Sequence, residues 1–520
     1  VRILEVSLPS FKNLHNFRVS FDRDAPVSVL VGRNGAGKSN LLEALTVIFR
    51  DLDLGFSPSF AYDLKYEIGG QIIEISVTEI EGARHLSCSV DGEQVPASKF
   101  VGTAGAQYRP RHVFGYYSGP SNRLEEHFSA HQERFYRDLL RGVEKPLRPL
   151  FYARNVYSSF VLLAFFLDDD PTVQDLLRGQ LGIHDLDSVM FVMQKPSWSS
   201  RAGDKRFWNA RGTVRGFLDR LYALALAPMR LDRRVPVGLA RFARSEHLFL
   251  YLSGLAETRA LASAYTSNQE FFKALESTYM SELIHDVRIR VSTARGSTSL
   301  TFRQLSEGEQ QLLLVLGLMR FTREEESLFL LDEPDTHLNP AWSVQYRKFL
   351  HDFGALDEGS HVLMATHDPL VVAGLLKSEV RILERHDDGT VSASEPLEDP
   401  RGMGVGNLLT SDVYGLRSQL DLETLQLLDR KRDLASRGHL SPVEADELRD
   451  LSEQLQVLGL LMEDRDPEFQ EYLRAKFSDE TGEDAPLVFS REEIEENREA
   501  AHDLLREVLG EHGSESLGGE

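Results

Sequence analysis

The stretch "VSVLVGRNGAGKSNLLEAL", residues 27–45, runs from a buried-type strand through a glycine-rich turn into an apolar helix. Its centre, "GRNGAGKS" (32–39), fits the phosphate-loop pattern G-x-x-x-x-G-K-[ST], in the strand–turn–helix setting the motif requires. Gly32, Gly35 and Gly37 let the backbone curl so that its N–H groups face phosphate oxygens. Lys38 would then reach the β- and γ-phosphates of ATP and Ser39 would ligate Mg²⁺, with Asn34 and Asn40 completing the nucleotide-binding set. Chance alone would place this pattern in roughly two of a hundred chains of this length.

A second segment supplies the other half of such a site. "LFLLDEPDTHLNP" (328–340) is an apolar strand ending in two carboxylates. Asp332 is the expected Mg²⁺ partner, and Glu333 is the candidate base that orients the attacking water. A neighbouring strand ends in "ATHDP" (365–369), which places His367 to contact a γ-phosphate oxygen. "LSEGEQQLLL" (305–314) puts Ser306, Gly308 and Glu309 in a turn that opens another apolar helix. Free N–H groups and a short hydroxyl at a helix start form an anion site. Because the chain already owns a phosphate loop, the second anion site raises the question of whose phosphate it serves.

Together these segments resemble the ABC-type ATPase superfamily, in its chromosome-maintenance, RecF-like and OLD-like branch. The opening "VRILEVSLPSFKNLHNFRVSFD" has the look of that branch rather than of transporter subunits. The resemblance covers about 1–125 and 295–395. It implies an α/β fold, an ABC-type P-loop ATPase head of mixed sheet with an antiparallel β lobe. It also implies that LSEGEQQ is the signature motif and meets ATP held by a second copy. Two chains would then pair head to tail, each site joining one phosphate loop to the other chain's Ser306, Gly308 and Glu309, with Asp335 communicating across the interface. The family usually carries a glutamine that senses the metal and the water. Gln107, in "AGAQYRP", is the nearest candidate by position, its setting does not match, and the role stays unassigned.

The chain of 520 residues is too long for one core. We divide it into 1–123, the first part of the ATPase lobe; 124–290, a large helical insertion; and 291–395, the second part of the lobe. A helical C-terminal extension at 396–477 and an acidic tail at 478–520 follow. The longest apolar run, "FVLLAFFL" (160–167), is too short to span a bilayer, so no membrane association is expected. Cys88 is the only cysteine and alternates with apolar residues in "HLSCSV", which suits a buried strand position and a reducing, cytoplasmic setting.

The net charge of −23 is unevenly spread. Residues 478–520 hold 14 acidic and 3 basic residues, a net of −11, whereas 195–244 hold 12 basic and 3 acidic, a net of +9. That basic island includes Lys205, Arg206, Arg211, Arg215, Arg233 and Arg234, with Trp198, Phe207 and Trp208 interleaved. Arginine with aromatics suits DNA or RNA, and equally a protein partner. In the C-terminal part, Leu448, Leu451, Leu455 and Leu458 form an apolar stripe expected to pack within its own domain.

A narrower resemblance rests on "YYSGPSNRLEEHF" (116–128), "NLLTSDVYGLRSQLD" (407–421) and "DRDPEFQEYLRAKF" (464–477). These look like the PtuA-like ATPases of bacterial anti-phage systems, Septu or retron-associated. That resemblance implies a separately encoded effector, typically an HNH nuclease, which the ATPase restrains or delivers. No HNH-type histidine pair, HExxH or CxxC occurs, so no nuclease activity is expected in this chain. A RecF/SMC-like DNA-repair clamp and an ATP-gated scaffold with little turnover are the alternatives.

Overall fold

The computed structural model describes residues 1–142, 148–198, 203–236, 242–293, 296–321, 326–354, 359–437 and 439–458. It divides into two units, Val1–Glu395 and Pro396–Glu520. In the first, short and mostly apolar strands become the centre of a sheet, because such runs tolerate burial on both faces. These are β3 (Val27–Val31), β15 (Ser327–Asp332) and β16 (His361–Ala365), the last two joined through the helix Pro340–Gly354. Flanked by β8 (His112–Tyr117), β9 (Leu150–Tyr152), β17 (Val380–Arg385) and β18 (Val391–Ser394), they form a seven-stranded sheet. Its order is β18-β17-β3-β16-β15-β8-β9, parallel except for the β17–β18 hairpin.

A second sheet is wholly antiparallel, in the order β2-β1-β4-β5-β6-β7. It consists of β1 (Arg2–Phe11), β2 (Leu14–Ser20), β4 (Tyr62–Ile68), β5 (Gln71–Ile80), β6 (Ala83–Val90) and β7 (Glu93–Val95). Gly69–Gly70 and Asp91–Gly92 make its tight turns with positive φ, as two-residue hairpins require. Cys88 is buried on β6, as its alternation predicts. One hydrophobic core joins this sheet, the phosphate-loop helix Lys38–Leu54 and one face of the parallel sheet. That helix, read as too apolar to face water, is buried along most of its length.

The region 124–290 departs from the expected helical insertion. It does hold helices, including Tyr157–Phe165, Gly212–Leu224 and Asn268–Met280. It also supplies most of a third sheet, antiparallel, in the order β11-β12-β10-β13-β14. These strands are β10 (Ile183–Gln194), β11 (Leu226–Pro236), β12 (Phe242–Leu252), β13 (Ile284–Thr293) and β14 (Gly296–Thr301). The period-2 signal was present in β12, whose Leu248, Leu250 and Leu252 are buried. On the edge strand β11, Leu, Met, Ala and Arg dominate, residues that favour helices, and they mask it.

In the second unit the helices Leu422–Ser436 and Pro442–Val457 pack on one another and bury Leu425, Leu434, Leu451 and Leu455. The expected apolar stripe thus packs within its unit through Leu451 and Leu455, while Leu458 is exposed. Ser441 and Glu444 form the capping box read from "SPVE", with Pro442 at the first helical position. Gly438, the Asp466–Pro467 step and the acidic segment 478–520 lie outside the described residues.

Candidate functional site

The central strands end level with one another. Leu30 pairs with Ala365, Ala365 with Asp332 and Asp332 with Tyr117, so the residues that follow emerge at one edge of the sheet. In an open parallel sheet that carboxyl edge is where ligands bind. Here it brings together the phosphate loop, Glu333, His367 and Ser118.

Gly32 has φ 147°, and a β-carbon there would lie 2.2 Å from the Leu383 carbonyl oxygen, so no side chain fits. Asn34 and Gly35 form the exposed crown of the loop, and the Asn13 side-chain amide donates to the Gly35 carbonyl at 2.7 Å. Lys38 Nζ donates to the Gly32 carbonyl at 2.6 Å. Burial pulls its ammonium below the usual lysine range, against Glu333 and Asp332. Ser39 Oγ donates to Asp332 Oδ1 at 3.0 Å, so the two residues read as metal ligands stand in contact across 293 residues of chain.

Asp332 is buried. Burial pushes its carboxyl up to about 6, the charge of Glu333 adds to the push, and the Ser39 hydroxyl opposes it. A buried acid beside a second acid is short of positive charge, which is what a cation site requires. Among the described residues no group of three acids, histidines or cysteines could hold a metal alone. The Ser39 and Asp332 oxygens, in contact at 3.0 Å, fit Mg²⁺, which takes one or two protein oxygens and completes its shell with phosphates and water.

Glu333 has φ 52°, a left-handed conformation that a non-glycine residue holds only where its surroundings enforce it. Its N–H donates to the Ala365 carbonyl at 2.8 Å, and its carbonyl accepts from Thr336 Oγ1 at 3.0 Å and Gln311 Nε2 at 3.3 Å. The side chain meets His367, with Nδ1 3.3 Å from Oε1. Asp335 is turned inward: it accepts a hydrogen bond from the Thr366 hydroxyl, and burial pushes its carboxyl up to about 6. It thereby ties the loop after Glu333 to the loop carrying His367 of its own chain.

Ser306 precedes the helix Glu307–Phe321 and exchanges bonds with Glu309: Ser306 N donates to Glu309 Oε2 at 2.6 Å, and Glu309 N donates to Ser306 Oγ at 3.2 Å. This is a capping box, and it occupies the Glu309 carboxylate within its own turn. Ser306 itself is exposed. Gly308 is buried against the loop after β15, where a β-carbon would sit 2.2 Å from the His337 carbonyl oxygen. A cleft of about 670 Å³ opens beside this turn, lined among others by Ser118, Asn122, Arg154, Gln310 and His337.

Gln107 lies elsewhere. Its 3₁₀ segment Gly102–Tyr108 is held by Arg109, which donates to the Leu52 carbonyl and Asp53 at the far end of the phosphate-loop helix. At 1.5 Å per residue that is about 20 Å from Lys38. The segment that does reach the site begins at Ser118, whose N–H donates to the Asp332 carbonyl at 3.2 Å.

Residues missed in the sequence brace the loop from behind. Glu43, buried on the phosphate-loop helix, accepts from Lys12 Nζ at 2.6 Å, His127 Nε2 at 2.8 Å and Arg123 Nη2 at 3.1 Å. Burial alone would raise its carboxyl, but the bonds from His127 and Lys12 outweigh it and hold it at about 2. Arg123 also donates to Asn40 Oδ1, and Asn40 donates to Asn13. The only sequence hint was that "FKNL" and "PSNR" each sit beside a strand end.

The basic island is divided in the structure. Arg206 pairs with Asp204 at 2.6 Å and with Asp219, and Arg215 lies 3.4 Å from Asp219. Arg211 occupies the N-cap position of the helix that carries Arg215, and Lys205 stands in the turn Lys205–Phe207. Phe207 is buried, Trp198 donates to the Ser281 carbonyl and Trp208 to Glu246, so the interleaved aromatics are engaged within the fold. Arg233 and Arg234 lie apart from these, on β11. Among the described residues no helix is long and apolar enough to cross a membrane.

Comparison with known proteins finds that a family model described as "AAA domain, putative AbiEii toxin, Type IV TA system" matches residues 27–373. Septu protein PtuA of Bacillus mycoides (strain KBAB4) is 27% identical over 229 residues, covering 41% of this chain. The match spans 31% of that relative's length. Among solved structures, an SMC head bound to the C-terminal winged-helix domain of ScpA is 12% identical, with a TM-score of 0.33 over 76% of this chain and 97% of that one. A Pyrococcus furiosus Smc head with extended coiled coil, bound to the C-terminal domain of ScpA, is 13% identical, with a TM-score of 0.31 over 76% and 96%.

Proposed function

Because the chain belongs to the AAA family whose model spans residues 27–373, we propose that it is an ATP-hydrolysing, ATP-gated dimerising ATPase of a bacterial anti-phage system. On this reading it resembles the Septu protein PtuA in role, binds nucleic acid, and controls a separately encoded effector such as an HNH nuclease. The observation that carries the ATPase part is the convergence of Lys38, Ser39, Asp332, Glu333 and His367 at one edge of one sheet.

Lys38 holds the β- and γ-phosphates, and Ser39 and Asp332 hold Mg²⁺, whose charge offsets that of the phosphates. Glu333 faces the γ-phosphate with its carboxylate steadied by His367, and orients the water that attacks in line. Ser306 and the N–H groups of its helix reach the γ-phosphate held by a second copy. The capping box fixes that turn in advance, so binding costs less order. Gly308 and Asp335 act by setting the loops at this face rather than by touching nucleotide.

A mixing experiment tests the shared site. Ser306→Arg and Lys38→Ala should each be inactive alone. Mixed, they should recover up to about a quarter of wild-type turnover, because about half of the dimers are heterodimers and each of these joins an intact loop to an intact signature turn at one of its two sites. No recovery where heterodimers are shown to form would remove the composite site.

A further inference from the structure

The third sheet has two faces of different character. On the inner face Val189, Phe191 and Leu250 are buried, and Phe191 meets Phe217 of the helix Gly212–Leu224 edge-on at 6.2 Å. Cross-strand pairing assigns the outer face row by row. Leu226, Tyr251, Met190 and Arg288 form one row, and Met229, Phe249, Val192 and Asp286 the next. Leu231 and Arg233 continue the face along β11, and Arg290 continues it along β13.

This outer face is open along β11, at Tyr251 and at Arg288 and Arg290 of β13, while Val192 and His247 between them are buried. Leu226, Met229, Leu231 and Tyr251 are 65%, 52%, 46% and 37% exposed, a contiguous apolar run that a lone soluble surface rarely carries without a partner. Arg233 lies over the Phe249 ring, 6.0 Å from its centroid. Three arginines, Arg233, Arg288 and Arg290, face a single carboxylate, Asp286, which Arg288 and Arg303 already approach at 3.0 and 2.9 Å. Among the described residues no acid pairs with Arg233 or Arg290.

We propose that this outer face is a platform for an unpaired nucleic-acid strand, with Tyr251 and Phe249 taking bases and Arg233, Arg288 and Arg290 taking phosphates. The proposal rests on the nucleic-acid reading above and assigns it a site and a substrate class. Rings two residues apart on a strand are about 7 Å from one another. That is twice the 3.4 Å step of stacked duplex bases, so each ring receives one splayed base and a duplex gains nothing. A second copy of the same face is disfavoured, because it would bring arginines against arginines.

Fluorescence anisotropy with labelled oligothymidylate and oligouridylate of about 20 nucleotides, and with a duplex of equal length, tests this. Tyr251→Ala should weaken single-strand binding about tenfold, Tyr251→Phe should restore it, and Arg288→Glu with Arg290→Glu should flatten the salt dependence. ATP turnover without nucleic acid should be unchanged and serves as the folding control. If single strands bind these variants as they bind wild type, or if duplex binds as tightly as single strand, the platform falls while nucleic-acid binding survives at another surface. If wild type binds no oligonucleotide, both readings fall. A change in assembly mass on Tyr251→Ala in that case identifies a protein interface.

Discussion

The carboxyl edge of the parallel sheet and the segment 195–244 both read in sequence as charged functional surfaces, but the fold treats their charges in opposite ways. At the sheet edge Asp332 is buried, its carboxyl driven up to about 6, and Glu333 is held at φ 52° beside it. In the basic segment Arg206 and Arg215 share Asp204 and Asp219, and Arg230 pairs with Glu246. One region leaves two acids side by side, and the other sets carboxylates beside Arg206, Arg215 and Arg230 while Arg233 keeps no acidic partner among the described residues. A count of charged residues cannot distinguish the two cases. What distinguishes them is, residue by residue, whether a partner of opposite charge stands within hydrogen-bond reach.

If that contrast holds, substitutions at the sheet edge should cost activity most. Lys38→Ala should abolish Mg²⁺-dependent ATP hydrolysis by removing binding. Glu333→Gln should retain binding and lose about a hundredfold or more of turnover, accumulating a closed dimer visible by light scattering. Equal turnover for Glu333→Gln and wild type would exclude Glu333 as the base.

Stability should move in opposite directions at two buried acids of this same edge. Glu43→Gln should cost about 2–3 kcal/mol at pH 7, since a carboxylate held at about 2 contributes stability that is present above its unfolded pKa and lost as pH falls towards 2. Asp332→Asn should instead raise the unfolding temperature of the nucleotide-free protein at pH 8 while abolishing turnover, because ionising this buried acid costs the fold. Its folded pKa is raised, so the gain should shrink as pH falls from 6 towards 4, where both side chains are neutral. Thermal melts at pH 8 and pH 4.5 decide the sign.

Metal dependence should follow the same group. Below about pH 6 a proton occupies Asp332 and Mg²⁺ must displace it. The metal concentration for half-maximal turnover should therefore rise up to about tenfold per pH unit, read from Mg²⁺ titrations across that range. The smallest effect belongs to the basic segment. Arg206→Ala with Arg215→Ala should change single-strand binding little and lower the melting temperature slightly, less so at high salt. A large loss of nucleic-acid affinity would show that these paired arginines are freer in solution than their contacts suggest.

The site was legible wherever its chemistry is local. A phosphate loop needs its glycines, lysine and serine side by side, so residues 32–39 carry the whole pattern, and Ser306, Gly308 and Glu309 stand within four residues at a helix start. The parallel strands were legible too, because burial on both faces leaves unbroken apolar runs such as "SLFLL". Asn13, Arg123, Ser118 and Gln311 were not, since each acts on a partner 22 to 218 residues away and leaves no pattern around itself. The third sheet was hidden for a related reason. Its edge strand β11 covers no core, so nothing imposes apolar alternation on it, and the arginines that mark its surface also favour helices.

Glu43 also orders events in time. Its partners lie 31, 80 and 84 residues away along the chain, so its contacts close only after distant segments have docked, whereas its own helix forms from neighbours alone. During synthesis the loop motif is finished by residue 40, but the brace running from Arg123 through Asn40 to Asn13 waits for residues 123–127. In the interval Lys12 is the only one of the three Glu43 partners that the chain has made. A chain stalled before residue 123 would carry every letter of the nucleotide motif on a helix not yet fastened in place.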